Sequence, residues 1–145
     1  MKKRRKAREA VLQILYQKDI TDDKSPQVPE EFWMENPCLP DITEFAGLLV
    51  KGTMENLQKI DSLIENSSEN WVLSRMGVID RNILRMAVYE MISGLGIPVK
   101  VVLNEAIEIA KKFGTEDSSK FINGVLDHVR KNLEKNPGLI EKTTA

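Results

Sequence analysis

Apolar residues recur along this chain at helical spacing, three or four apart, and no alternating run of useful length interrupts them. Ala7, Ala10, Val11, Ile14 and Leu15 mark an amphipathic helix over residues 5–19, with Arg4, Arg5 and Arg8 on its exposed flank or fraying start. Pro26, Pro29, Pro37 and Pro40 forbid a long helix over 21–40. A short one fits at 29–36, with Phe32 and Trp33 lying on the main body. A long helical pattern then runs from Asp41 to about Glu65, with Asp41 as N-cap and Glu44 completing a capping box.

The stretch Ser67-Ser68-Glu69-Asn70 reads as a linker, and Trp71 to Met76 as one helical turn ending at Gly77. Residues 78–93 are apolar nearly all round, which suits a central helix. Gly94 and Gly96 end it, and Pro98 opens the next segment. A helix striped by Val102, Ala106, Ile109, Ala110 and Phe113 follows, starting between Pro98 and Asn104, with Gly114 as its C′ residue. The last helix spans about 117–133 and stops at Asn136-Pro137-Gly138. Val99–Leu103 is the only β-branched run, and it is short. The pattern predicts an all-α fold: a compact bundle of about seven helices in two small packed subdomains. Residues 1–145 form one domain, with halves at about 1–66 and 71–135 and a mobile tail at 136–145.

Charge changes this picture. Lys2, Lys3, Arg4, Arg5, Lys6 and Arg8 crowd the first eight residues. The whole chain holds 21 basic and 22 acidic side chains, so setting those six aside leaves 15 against 22. A cationic block on an acidic protein is the footprint of a polyanion partner, nucleic acid above all, although a solubilising terminus has the same composition. One cysteine, Cys38, excludes an internal disulfide and a cysteine metal cluster, and one histidine excludes most histidine-based sites. No apolar run suits a membrane span or a signal peptide, so a cytoplasmic location is expected.

Catalytic chemistry is thin. Glu105 and Glu108 read as a solvated face, and His128 as a surface or capping residue. Phosphate-binding loops, dinucleotide fingerprints and zinc spacings are missing, so neither enzyme activity nor a cofactor is expected. The stretch from Gly114 to Gly124 is a polar turn entering a helix, where free N–H groups can receive phosphate. Phe121 there fits the edge of the core, or alternatively stacks on an unpaired base. Tyr16 reads foremost as a packing residue. Gly124, inside a helix, costs about 1 kcal/mol against alanine, and a close helix–helix contact would be a sufficient reason for it.

Three stretches carry a resemblance. They are RRKAREAVLQILY at 4–16, VIDRNILRMAVYE at 78–90, and NEAIEIAKKFG at 104–114 running on through FINGVLD at 121–127. In order and spacing they resemble the NusB family of bacterial transcription antitermination factors, over nearly the whole chain except 21–40. The resemblance implies an all-helical fold of two helical subdomains. It also implies binding to boxA RNA of nascent ribosomal RNA transcripts with NusE, a small-subunit ribosomal protein. NusA, NusG and RNA polymerase complete the assembly it implies, and self-association into a homodimer is a further family trait. It assigns RNA contact to Arg4, Arg5, Lys6, Arg8, Asp117, Lys120, Phe121 and Asn123, and partner contact to Asp80 and its neighbour Arg81; Lys2 and Lys3 of the basic block and Tyr16 two turns beyond Arg8 join the RNA-binding candidates from the residues themselves. Two other readings are an accessory domain of a ribosomal RNA methyltransferase and a protein–protein adaptor. The first lacks a cofactor-binding glycine fingerprint in these residues; the second predicts no salt-sensitive RNA binding.

Overall fold

A computed structural model describes residues 2–66 and 72–141, with the backbone alone described at Lys2. The expected linker at 67–70, Trp71 and the tail residues 142–145 lie outside the described residues. Seven α-helices and no strand occur among the described residues.

Helix α1 (Lys2–Thr21) starts earlier than the apolar pattern suggests, so the basic block is helical from Lys2 onward. It ends where Asp22 turns to φ 56°, a conformation that aspartate tolerates better than most residues. Lys18 is buried at this end, its ammonium donating to Asp23 and to the Ser25 carbonyl. Helix α2 (Glu30–Glu35) carries two glutamates in its first turn, where the helix dipole favours them. Phe32 is buried and meets Trp33 edge-on, at 5.0 Å between ring centroids.

Residues 41–65 form two helices, α3 (Pro40–Glu55) and α4 (Leu57–Asn66), not the single one expected. The break is at Asn56, whose side-chain amide donates to the Gly52 carbonyl at 2.8 Å and competes with the helical ladder. The expected cap at Asp41 is also replaced. Pro40 opens α3 with Leu39 before it, and Asp41 instead pairs with Lys3 across to α1.

A 3-10 turn (Leu73–Arg75) leads into α5 (Val78–Ile92), which is buried along most of its length and packs against α1, α3, α4, α6 and α7. Gly94 and Gly96 end that stretch at φ 70° and 76°, which side-chain-bearing residues rarely adopt. Helix α6 (Val99–Phe113) and helix α7 (Ser118–Lys135) complete the bundle. One connected core draws on all seven helices. Within residues 136–141, the Leu139 carbonyl accepts from Lys59 and the Glu141 amide donates to the Ile92 carbonyl.

Candidate nucleic-acid interface

The basic end of α1 divides into an inner and an outer set. Arg8 is fully buried, which corrects its expected place on the exposed flank. Its Nε donates to both carboxylate oxygens of Glu90 at 3.0 Å, and its Nη2 to Glu90 Oε1 at 2.6 Å. Burial pushes the Glu90 carboxyl up against the opposing pull of Arg8. Arg5 is half-exposed but donates twice to Glu105. The hydrogen bond from Arg5 holds the Glu105 carboxyl below the ordinary carboxylate range despite burial. Glu105 is therefore an interior counter-ion and not part of a solvated face, because two arginines of α1 converge on it.

The outer set is Lys3, Arg4 and Lys6, all exposed. Arg4 lies over the ring of Phe45 at 4.6 Å from its centroid, and Arg8 flanks the same ring at 5.6 Å. The half-buried Phe45 therefore props the Arg4 guanidinium at the surface. Among the described residues Lys3 pairs only with exposed Asp41, a contact that water and salt screen readily. Lys6 makes no ion pair among the described residues.

Ion pairs link α1 to α6 in the same order along both helices, Arg5 to Glu105 and Glu9 to Lys112. The turn from α6 to α7 is thus at the far end of α6 from the basic block. Glu105 and Phe113 alone are about 12 Å apart along the helix at about 1.5 Å per residue. Gly114 is required in this turn by close approach and not by a left-handed backbone, since a Cβ there would meet the Ser118 side chain and the Ala110 carbonyl. Ser118 closes the turn by accepting from the Thr115 amide at 2.8 Å. Asp117, Lys120 and Asn123 are exposed, and Phe121 is half-buried.

Asp117, Phe121 and Thr115 line a cavity of about 350 Å³ together with Arg75, Gly77 and Asp80. The structure thereby joins a residue expected to face protein, Asp80, to two expected to face RNA. Arg81 is differently placed. Its guanidinium donates to Asp19 at 2.8 Å and to the Leu73 and Met76 carbonyls, tying α5 to α1 and to the 3-10 turn. Its side chain is largely buried, 13% exposed, and serves as a staple within the fold.

A second cavity, of about 440 Å³, lies beside Tyr16, which is 39% exposed. Its wall includes Gln13, Gln17, Leu12, Ile79 and Phe113. Gln13 and Gln17 carry no site expectation from the sequence, although the exposed stripe of α1 continuing beyond the basic block was their signal; Phe113 was expected only in the apolar stripe of α6. Gly124 has open space where its Cβ would be, so the expected close helix contact is absent. No helix of the described residues is long and apolar enough to cross a membrane.

The NusB family model matches residues 5–131. The transcription antitermination protein NusB of Bacillus cereus is 47% identical over 131 residues, 90% of this chain and 99% of the relative. The Sorangium cellulosum protein of the same description is 40% identical, over 87% of this chain and 90% of its own. The solved structure of T. maritima NusB superposes with a TM-score of 0.80 at 43% identity, covering 88% of this chain and 90% of that one. A chain from a structure of antitermination factors NusB and NusE in complex with double-stranded RNA superposes with a TM-score of 0.81 at 30% identity, covering 91% and 98%. The all-helical fold and the near-complete match agree: this chain belongs to the NusB family of transcription antitermination proteins.

Proposed function

We propose that this protein binds the boxA segment of nascent ribosomal RNA transcripts together with NusE, within a cytoplasmic assembly containing NusA, NusG and RNA polymerase. The observation that carries the reading is the outer cation set: Lys3, Arg4 and Lys6 stand exposed on a helix pinned to the core by Arg8 and Glu90. Fixed cations bind phosphate with little ordering cost, and they position a strand without reading it. Lys2 extends that set in sequence.

Base preference falls to polar and aromatic groups farther along α1 and at the start of α7. Tyr16 beside the amides of Gln13 and Gln17 offers a stacking face with hydrogen-bonding partners. Phe121, Asn123, Asp117 and Lys120 supply a second reading surface. Asp80 shares the Phe121 cavity, which suits a basic ribosomal protein approaching next to the RNA. A fluorescence-anisotropy titration of boxA RNA and a scrambled control, with and without NusE, tests the reading. Preference for boxA that strengthens with NusE supports it; equal binding of both RNAs, or none with NusE present, contradicts it.

A further inference from the structure

Four charged groups meet where α1, α5 and α6 converge. Arg5 donates from Nε to Glu105 Oε1 at 3.1 Å and from Nη2 to Glu105 Oε2 at 2.6 Å. Arg8 Nη1 lies 3.6 Å from Glu105 Oε1, while the rest of its guanidinium is engaged by Glu90. Glu105 is 5% exposed, whereas the Arg5 side chain is 48% exposed. Two guanidinium groups balance two carboxylates. Without Arg5, one buried guanidinium would face two buried carboxylates.

A buried carboxylate short of a counter-charge is costly, and burial leaves it little water to compensate. A phosphate at the surface offers Arg5 only a screened attraction in exchange. The balance keeps Arg5 on Glu105 when a polyanion arrives. Lys3 is the opposite case, since its partner Asp41 is as exposed as it is and is readily exchanged.

We propose that Glu105 is a positioning residue that withholds Arg5 from phosphate, leaving Lys3, Arg4 and Lys6 as the described cations of α1 that meet an RNA backbone. The inference rests on the RNA-binding reading above. It separates the N-terminal arginines into one that meets phosphate, Arg4, and two that hold the helix, Arg5 and Arg8. Counting every basic residue as a phosphate contact therefore overstates the salt dependence of binding.

The test is the salt dependence of binding to a single-stranded oligouridylate, measured on the full chain and on Arg5→Gln, Glu105→Gln and the double variant. Arg5→Gln keeps the slope of the unsubstituted chain. Glu105→Gln frees Arg5 and steepens the slope by about 0.7, the increment for one more phosphate on a single strand. The double variant returns to the original slope. A slope flattened by about 0.7 in Arg5→Gln, or unchanged in a folded Glu105→Gln, overturns the proposal. If the unsubstituted chain fails to bind RNA, the RNA-binding reading falls, and carbon-detected titration of the Glu105 carboxyl in the free protein decides the clamp. A rise toward the ordinary carboxylate range in Arg5→Gln sustains it, and an unmoved titration overturns it.

Discussion

Arg8 and Glu90 form a buried ion pair across α1 and α5, with three hydrogen bonds between 2.6 and 3.0 Å. The pair fixes the helix that carries the basic block to the most buried helix of the bundle. Removing one partner strands a charge in the interior, so Arg8→Ala is expected to cost about 3–5 kcal/mol. Replacing both residues by methionine removes both charges and is expected to recover most of that loss. Urea denaturation of the single and double variants measures this. A single variant within about 1 kcal/mol of the parent would contradict the burial of the pair.

Two helix-interior glycines are predicted to respond oppositely to alanine. A Cβ at Gly52 would run into the Tyr89 ring, so Gly52→Ala is expected to destabilise by about 1–3 kcal/mol despite its better helix propensity. A Cβ at Gly124 meets nothing within 4 Å, so Gly124→Ala is expected to stabilise by about 1 kcal/mol. Thermal unfolding of the two variants under identical conditions compares them. Stabilisation at Gly52 or loss at Gly124 would contradict the packing described.

Acid should unfold the protein in part through Asp19. Burial alone pushes this carboxyl up, but hydrogen bonds from Arg81 and Asn82 and the nearby Arg85 outweigh it and hold it below the ordinary range. A depressed carboxyl contributes stability that is present above its unfolded value, about 3.9, and is lost as pH falls through the folded one. Asp19→Asn is therefore expected to be less stable at neutral pH and to lose stability more gradually below about pH 4. Parallel stability curves for parent and variant would remove Asp19 from the acid response.

Base reading is predicted to separate from phosphate binding. Gln13→Ala with Gln17→Ala is expected to reduce the preference for boxA over scrambled RNA, because amides read base edges, whereas Tyr16→Ala is expected to weaken both RNAs by about 1–3 kcal/mol for one lost stacked base. The salt slope should stay that of the parent, because no cation is lost. Competition titrations at two salt concentrations check both quantities; an unchanged preference would move base reading away from this cavity.

The helices were legible because each buries a stripe that repeats at helical spacing, and α5, apolar nearly all round, was recognisable as central. Two features were not. Asn56 splits a continuous apolar pattern through a hydrogen bond to a carbonyl one turn back, which periodicity does not register. Arg8 and Glu105 look like surface residues in isolation. Their burial depends on partners 82 and 97 positions away in the chain, and only the folded arrangement brings those together. The same limit applies to the candidate site. Its residue types were readable, but which cations remain available and which cavity joins Asp80 to Phe121 emerge from packing.

The central claim is that RNA lies on the exposed face of α1 and the start of α7. Photo-crosslinking with boxA RNA carrying 4-thiouridine, followed by mass spectrometry of the linked peptides, tests it most directly. Crosslinks within residues 2–17 and 117–123 are predicted, and crosslinks confined to α3 and α4 would contradict it.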